Sequence, residues 1–457
     1  MNGMETAMWR MDSDAALRTD VVMVWTLDRV PEWDRFLECC AWLTGVLPRL
    51  RLRVAEPPLR IGRPVWEVDE AFDLAAHVHR VRLPAPGGRR ELLDLAEDVG
   101  ASVFDPARPP WRAVLAEEGE SGRAAIVIKL HHCLADGAGL RRAMVALLPR
   151  SRRASLRPPG PPPDAPRHAS PWEVAARGLA SDLGSAPGRI RRGGTRLAAG
   201  LAHASTSPGD LPARVDGLVR SLGRTAVDPR RSPLLARRGR ERRFEAVEMP
   251  LADLKAAGKT AGATVTAAFI TIMLGAFADY HRLHGRAGGT LSIAVPVDVR
   301  DGGPEDGNNI VGGLVLGGSL KEMGPHDRLA EVGAMLRRAR RTPLAGWSAA
   351  LTSLFPVLPV PVLLRATRWT SGVQDLKTSS VPGVPRPAYI AGARLLSTLV
   401  FGPRVHGACT AVLMSHDETA GLGLNVDPAA VTDTSSFGRL VQKNVGAVLA
   451  LADPART

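Results

Sequence analysis

The stretch IVIKLHHCLADGAGL, residues Ile126–Leu140, decides the fold and indicates the chemistry. An apolar run that ends in polar and small residues predicts a buried strand followed by a tight turn. Because side chains alternate along a strand, His131 and His132 should point to opposite faces, so that one lines a cleft and the other packs behind it. A neutral imidazole is the natural base for removing a hydroxyl proton near pH 7.

The residues that follow the two histidines indicate how the catalytic base would be held in place. A turn that contains Gly137 could hold the base in one orientation, and Asp136 is better placed to anchor the loop on an arginine than to contact the ring. Cys133 invites a nucleophile interpretation, but alternation puts it on the side of His131, which favours packing. The alternative is that the two histidines only end a strand and have no catalytic role. The Asp-Gly pair at a fixed spacing after them makes this alternative the weaker one.

Composition places the chain among soluble globular proteins. It has 457 residues, 45% hydrophobic and 23% charged, which suits two domains. The four cysteines show no metal-ligand spacing, and the first twenty residues lack the features of a secretion signal. His77 and His79 would share one face of a strand, but no third ligand follows at a clear spacing. We therefore expect a cytoplasmic protein with no metal site.

The positive charge of the chain is concentrated in one segment. The formal net charge is +13, and the stretch from Arg150 to Arg243 alone carries 20 Arg, no Lys and 7 acidic residues. Residues 157–173 are too rich in proline for regular structure and predict a linker. Stacking aromatics and known nucleic-acid modules are missing from the sequence pattern, so no nucleic-acid partner is predicted. A solvated linker and a contact with anionic lipid headgroups or cofactor phosphates remain alternatives. For a membrane contact, the candidate residues are Arg237, Arg238, Arg242 and Arg243.

The long uncharged run from Thr342 to Leu364 has the length of a membrane span. Four prolines interrupt it, and they would break a spanning helix. We favour a segment that is buried or binds an acyl chain. A surface that docks on a bilayer is the alternative, so peripheral contact with a membrane or lipid-body surface is kept as a hypothesis.

Patterns of helices and strands divide the chain into two α+β halves. We predict an N-terminal domain at residues 1–150, a basic linker and crossover at 151–240, and a C-terminal domain at 241–457. Residues 406–427 alternate in a way that predicts a late hairpin. Two strand-rich halves joined by a long connection predict a site at their interface.

His131-His132-x-x-x-Asp136-Gly137 resembles the HHxxxDG signature of the CoA-dependent acyltransferase superfamily. The flanking FDPARPPWR, residues 104–112, is similar to the bacterial wax ester synthase/diacylglycerol acyltransferase family within it. GATVTAAFITIMLGAF (262–277), VPVDVR (295–300) and SSVPGVPRPAYIAGA (379–393) resemble later blocks of this family in the expected order. The resemblance covers nearly the whole chain apart from the linker.

This resemblance implies two chloramphenicol acetyltransferase-like domains, each a mixed sheet flanked by helices, with the active site between them. The implied activity transfers a long-chain acyl group from acyl-CoA, a co-substrate, to a hydrophobic alcohol such as a diacylglycerol or a fatty alcohol. It needs no bound cofactor, no metal and no acyl-enzyme. His132 would be the general base, with His131 and Asp136 completing the catalytic motif and Gly137 and Arg300 supporting it.

Two departures from the family pattern leave alternatives open. Thr266-Ala267 stands where the family commonly has Asn-Asp, and the usual Ser-Asn-Val-Pro-Gly-Pro reads SSVPGV at residues 379–384. A specialised O- or N-acyltransferase or condensation-type enzyme of natural-product metabolism is therefore a second hypothesis, and a lipid-binding relative without turnover is a third. Candidate contacts of the oxyanion or acceptor are Thr264, Thr266 and Ser380, and candidates for an acyl-CoA loop are Ser379, Pro382 and Gly383.

Overall fold

The computed structural model describes most of both halves of the chain. The described residues are 1–60, 62–119, 122–134, 144–145, 148–153, 172–173, 176, 232–298, 311–340 and 360–452. Several predictions from the sequence lie outside these residues: the roles of Asp136, Gly137 and Arg300, most of the linker at 151–240, and positions 342–359 of the uncharged run.

The described strands and helices alternate along both halves. The strands are β1 (Asp20–Leu27), β2 (Leu52–Ala55), β3 (Val65–Val68), β4 (Val78–Arg82), β5 (Trp111–Glu118), β6 (Arg123–His131), β7 (Arg243–Pro250), β8 (Thr290–Asp298), β9 (Val311–Ser319), β10 (Leu376–Val381), β11 (Tyr389–Ile390), β12 (Ala393–Phe401), β13 (Cys409–His416) and β14 (Thr419–Val426). The helices are α1 (Gly3–Met11), α2 (Trp33–Val46), α3 (Arg89–Ala101), α4 (Leu251–Thr260), α5 (Val265–Leu283), α6 (Pro325–Arg340), α7 (Val360–Gly372) and α8 (Thr434–Leu449).

Two six-stranded mixed sheets form the framework. The first has the strand order β11-β12-β1-β6-β5-β4, the second β7-β14-β13-β10-β8-β9, and β2 pairs separately with β3. Strand β4 runs parallel to β5, and β10 runs parallel to both β13 and β8, whereas the other pairs are antiparallel. The predicted α+β class with mixed sheets flanked by helices is confirmed, and the predicted late hairpin is β13–β14.

The sheets do not follow the order of the sequence completely. Strand β12 comes from the C-terminal part of the chain, yet it pairs antiparallel with β1 in the first sheet, from Val22 opposite Phe401 to Leu27 opposite Leu395. The short strand β11 extends the same edge. The predicted domains at 1–150 and 241–457 describe positions along the chain, whereas in space the second half completes the sheet of the first.

Alternating glycines let β12 pack closely on the second sheet. A Cβ atom on Gly421 would lie 2.3 Å from the carbonyl oxygen of Thr398, and one on Gly423 would lie 2.3 Å from that of Val400. The intervening Leu422 points the other way into the C-terminal core. The Gly-Leu alternation of β14 therefore brings two backbones together on one face and fills a core on the other.

Strand β6 is buried on both faces by helices. Val127 belongs to an apolar cluster with residues of α3, and Ile126 and Leu130 belong to another with residues of α2. In the second half, α5 is apolar nearly all round and forms the centre of the core. Within the described residues, no helix taken singly is long and apolar enough to cross a membrane. Helices α4 and α5 meet those two criteria only as a pair, which is bent by 89°.

Candidate active site

The two histidines stand at the end of β6, where it meets β1. His131 lies opposite Asp20 in the ladder, and the N–H of His132 continues the ladder by donating to the carbonyl oxygen of Thr19 at 3.2 Å. The continued pairing places the two histidine side chains on opposite faces, as the sequence predicts. His131 lies on the face of Lys129, and His132, half-buried, lies on the face of Leu130.

His131 is fully buried and is held through both ring nitrogens. Its Nε2 atom lies 3.2 Å from Oδ2 of Asp12 and 3.1 Å from Oγ1 of Thr19. Its Nδ1 atom accepts the N–H of Cys133 at 3.1 Å. Burial alone would lower the pKa of the ring, but Cys133 and Asp12 raise it. Because a nitrogen that accepts a hydrogen bond carries no proton, the contact at Nδ1 fits a ring whose proton is on Nε2. Cys133 itself is buried, in agreement with the packing interpretation.

The carbonyl groups of the same turn are bound by an arginine from outside it. Nη1 of Arg49 lies 3.3 Å from the carbonyl oxygen of Cys133 and 3.4 Å from that of Leu134. Glu5 of α1 holds the same nitrogen at 2.9 Å. Helix α1 thus reaches the histidine turn through an ion pair.

A buried charge cluster lies one step back along β6, on the His131 face. Nζ of Lys129 is 3.6 Å from Oδ2 of Asp20, and Nη1 of Arg242 is 3.0 Å from the same oxygen. Burial lowers the pKa of Lys129 to about 8, although Asp20 opposes this shift. Burial alone would raise the pKa of Asp20, but Arg242 and Lys129 hold it below its ordinary value. The cluster links the histidine strand to residues just before β7.

The hydroxyl candidates of the second half lie on two different elements. Oγ1 of Thr264 accepts the N–H of Ala267 at 3.3 Å and caps α5, and Thr266 is half-buried in the first turn of this helix. Ser379 and Ser380 are neighbours on β10 and therefore face opposite sides of the sheet.

The register of β10 against β13 shows which side each serine faces. Ser379 aligns with Val412, which belongs to the apolar cluster of Leu130, whereas Ser380 aligns with Leu413 of the α5 core. Ser379 therefore lies on the side of the histidine strand, and Ser380 lies on the side of α5. The roles of both serines as contacts of substrate stay predictions.

The loop after β10 is packed against the first half. A Cβ atom on Gly383 would lie 1.9 Å from the carbonyl oxygen of Ser415, so only glycine fits there, while Pro382 is exposed. Val384 is buried in the same apolar cluster as Leu130. The structure thus brings the candidate acyl-CoA loop to the cluster on the His132 face of β6.

Arg386 ties this loop to the segment that follows the histidine motif. Its Nη2 atom donates to the carbonyl oxygen of Val145 at 2.8 Å and to that of Leu148 at 3.0 Å. The loop and the segment after the motif therefore have a direct polar contact besides their apolar packing.

An apolar cavity of about 150 Å³ opens on the Leu130 face of β6, beneath α2. Nearly all of its wall is carbon. Its lining includes Met23, Trp25, Phe36, Leu43, Ile128 and Leu130. Ile126, Ile128 and Leu130 all line it, so the cavity lies on the face of β6 on which His132 stands, although His132 is not one of its lining residues.

Two other expectations concern residues away from this site. His77 is stacked between Phe72 and Trp111, at centroid distances of 5.2 and 4.6 Å, and its Nδ1 bonds the Trp111 carbonyl at 2.9 Å. His77 therefore serves packing, and burial lowers its pKa. In the part of the chain that the structure describes, no group of three or more His, Cys, Asp or Glu residues is arranged to hold a metal ion.

Three of the four arginines that the sequence offers for a membrane contact form ion pairs with carboxylates of this chain. Arg238 pairs with Asp375 at 3.2 Å, and its side chain is only 4% exposed. Arg242 pairs with Asp20 at 3.0 Å and Arg243 with Asp94 at 2.8 Å. These arginines neutralise carboxylates of this chain, which the sequence could not reveal because the partners are far away along it.

Sequence reasoning missed Asp12, Thr19 and Arg49 as neighbours of the histidine turn. The only local signal was that Asp12 and Thr19 precede the apolar strand β1 closely, in a segment with no recognised motif. Their contacts depend on the register of β1 against β6, which is not encoded in either strand alone.

Two family models match the chain. The model described as wax ester synthase/diacylglycerol acyltransferase catalytic domain matches residues 1–269, and the WS/DGAT C-terminal domain matches residues 307–447. A Mycobacterium tuberculosis (strain H37Rv) protein, assigned by name to the diacylglycerol O-acyltransferases, is 32% identical over 453 residues, which are 97% of this chain and 90% of that protein. A second such protein, tgs1, is 25% identical over 440 residues, with coverage of 92% and 89%.

Solved structures share the fold. A wax ester synthase/diacylglycerol acyltransferase from Marinobacter aquaeolei VT8 superposes with a TM-score of 0.60 at 20% identity, covering 95% of both chains. The first condensation domain of the calcium-dependent antibiotic synthetase gives 0.57 at 16% identity, covering 99% of this chain and 95% of that one. At these identities the likeness concerns the architecture alone.

Proposed function

This chain belongs to the wax ester synthase/diacylglycerol acyltransferase family, and on that premise we propose that it transfers a long-chain acyl group from acyl-CoA to a hydrophobic alcohol, with His132 as general base. The acceptor is a diacylglycerol, a fatty alcohol or both. The observation that carries the proposal is the apolar cavity on the Leu130 face of β6, the face on which His132 stands. Such a surface suits a hydrocarbon chain, whereas a small polar acceptor would gain little from it.

The reaction requires one base and no covalent intermediate on the protein. His132 takes the proton of the alcohol as the alcohol oxygen attacks the thioester carbonyl carbon. The new carbon–oxygen bond forms, the carbon–sulfur bond breaks, and the thiolate of CoA leaves. His132 then returns its proton to the sulfur, so the enzyme ends in its starting state. The developing oxyanion needs hydrogen-bond donors, for which the sequence offers Thr264, Thr266 and Ser380. Of these, Ser380 lies on the α5 side of β10 and not on the side of the histidine strand.

Asp136 and Gly137 of the motif, with Arg300, would hold the loop after His132. The candidate acyl-CoA loop at Ser379, Pro382 and Gly383 is supported by its packing beside the histidine strand. Peripheral contact with a membrane or lipid body also remains a prediction, and it would bring the enzyme to its water-insoluble acceptors.

Thiol release from palmitoyl-CoA tests the proposal. The purified protein is assayed with hexadecanol, with a diacylglycerol and with neither, each beside His132→Ala. His326→Ala is the matched control, because His326 is exposed at the start of α6. Release that needs an alcohol, vanishes in His132→Ala and persists in His326→Ala is the expected result.

The two lipid acceptors decide between substrate classes. A faster rate with one of them names the preferred acceptor. If the folded protein releases no thiol with either lipid, the proposed acceptors are wrong, and a specialised acceptor or a relative without turnover replaces them. Alcohol-dependent release that survives in His132→Ala would exclude this histidine as the base.

A further inference from the structure

Three residues of the segment before β1 surround the ring of His131 at the histidine turn: Trp9, Asp12 and Thr19. We call these three residues the bracket. Asp12 and Thr19 are the two residues of this segment that contact His131 directly through polar atoms. Trp9 closes the same side, with its ring edge-on to the imidazole at a centroid distance of 5.2 Å. A buried imidazole enclosed by a carboxylate, a hydroxyl and an indole is a specific arrangement. The acyl-transfer mechanism proposed above gives this arrangement no task.

Asp12 and Thr19 bind each other as well as the ring. The N–H of Thr19 donates to Oδ1 of Asp12 at 2.8 Å, and the Thr19 hydroxyl lies 3.2 Å from the same oxygen. Oδ2 of Asp12 is thereby aimed at Nε2 of His131. Asp12 therefore accepts from two sides, and its ionised carboxylate matches both.

The backbone N–H groups of the turn are bound by Thr19 and His131, and one of them is bound by the imidazole ring. The N–H of His132 is bound by the Thr19 carbonyl at 3.2 Å, and that of Leu134 by the His131 carbonyl at 3.0 Å. Between them, the N–H of Cys133 is bound by the Nδ1 atom of the His131 side chain at 3.1 Å. The path of the chain on both sides of His132 is thus fixed by Thr19 and by the orientation of one imidazole.

We propose that Asp12 and Thr19 are positioning residues for the acyl transfer. They hold His131 with its proton on Nε2, and the unprotonated Nδ1 atom then accepts the N–H of Cys133 and fixes the turn that carries His132. The inference rests on the proposed function, because the positioned group is the base. It assigns His131 a task different from proton transfer to substrate, since both of its ring nitrogens are bound within the protein.

Asp12→Asn is the sharpest perturbation, because it keeps size and shape. In one orientation the amide NH2 group faces Nε2–H of His131, and in the other it faces the N–H of Thr19, so a donor opposes a donor either way. If the ring shifts its proton to Nδ1 to relieve this, Nδ1 no longer accepts the N–H of Cys133. Each route loosens the turn without removing a group that contacts substrate.

Steady-state kinetics and hydrogen–deuterium exchange test the proposal together. We expect Asp12→Asn to lower kcat roughly 10- to 100-fold, the size of effect that a small misplacement of a catalytic group produces. The KM for palmitoyl-CoA should stay within about twofold, since uniform substrate binding is untouched. Exchange of the peptide that spans residues 131–134 should become faster.

Matched variants separate positioning from general damage. Thr19→Val removes the hydroxyl and should behave like Asp12→Asn, whereas Thr19→Ser keeps it and should retain near wild-type kcat. Asp34→Asn makes the same charge change at an exposed position of α2 and should alter neither kcat nor exchange.

Several results would overturn the inference. They are a wild-type kcat in Asp12→Asn, a loss confined to KM, or an equal loss of kcat in Thr19→Ser and Thr19→Val. If the wild-type protein itself releases no thiol, the proposed function fails first, and exchange alone decides on the bracket. Faster exchange at 131–134 in Asp12→Asn, but not in Asp34→Asn, supports the bracket, and unchanged exchange overturns it.

Discussion

Replacing Asp20 by asparagine should destabilise the protein in a way that depends on pH. Asp20 is buried between Lys129, whose side chain is 2% exposed, and Arg242, whose side chain is 15% exposed. Asparagine keeps the volume but removes the negative charge, so the buried Lys129 and the half-buried Arg242 would lose the carboxylate that they share. Breaking a buried ion pair by removing one partner costs about 3–5 kcal/mol.

The two cations contribute differently to this loss. The pKa of Lys129 is already lowered to about 8, so at pH 7 its contribution cannot exceed the cost of deprotonating it, about 1.4 kcal/mol per pH unit. Arg242 cannot lose its proton, and a hydrogen bond between charged groups is worth about 1.5–3 kcal/mol. Together they give an expected loss of about 3–4 kcal/mol at pH 7.

The loss should shrink at higher pH. The native pKa of Lys129 lies below its unfolded value, so the native state binds fewer protons above pH 8 and stability rises with pH in that window. Without Asp20 this pKa falls further, the rise begins at lower pH, and the two stability curves converge. At pH 9.5 Lys129 is neutral in both proteins, and about 2 kcal/mol from Arg242 should remain.

Urea denaturation followed by tryptophan fluorescence measures both values. Asp34→Asn is the control for the same charge change on the surface and should cost less than about 0.5 kcal/mol. Adding Lys129→Met to Asp20→Asn should recover part of the loss at pH 7 but not at pH 9.5. A loss below about 1 kcal/mol at pH 7, or one equal at both pH values, would refute the reasoning.

Two further predictions concern the cavity and the loop beside the histidine strand. Gly383→Ala would place its Cβ atom 1.9 Å from the Ser415 carbonyl oxygen, so we expect a loss of about 1–3 kcal/mol and a lower kcat. Urea denaturation and thiol release measure these effects, and an unchanged protein would contradict the close packing of the loop. Leu43→Trp should fill the cavity beneath α2 and shift the preference from palmitoyl-CoA toward octanoyl-CoA in competition assays. An unchanged preference would show that the acyl chain binds elsewhere.

The parts of the fold that the sequence predicts are those with local causes. Strand β6 and the β13–β14 hairpin follow from alternation and from turn residues within a few positions. Helix α5 follows from an apolar run of helical length with a threonine cap. The opposite faces of His131 and His132 follow from the geometry of any strand.

The parts that it does not predict depend on pairings between distant segments. The C-terminal β12 joins the first sheet beside β1, and only the register of that pairing places Val22 opposite Phe401. The contacts of Asp12 and Thr19 with His131 arise in the same way, from the pairing of β1 with β6. One residue of slippage would turn either strand over, and no feature of a single strand excludes that.

The ion pairs of the protein are also not predictable from the sequence alone. Composition locates the excess of arginine correctly, but it does not tell which carboxylates those arginines meet. Arg242 and Arg243 reach Asp20 and Asp94 of the first half, while Arg238 reaches Asp375 of the second. Three arginines at the end of the basic segment therefore form ion pairs with carboxylates from both halves of the protein.

The start of β1 connects the ion pairs of these arginines to the proposed active site. Thr19 binds the N–H of His132, and the next residue, Asp20, binds Arg242 from just before β7. A change at Asp20 that frees Arg242 should therefore also loosen the histidine turn, because both contacts share one short piece of backbone. We accordingly expect Asp20→Asn to speed the exchange of residues 131–134 under native conditions, and slow exchange there would show that the turn is held by Asp12 and Thr19 independently of the ion pairs.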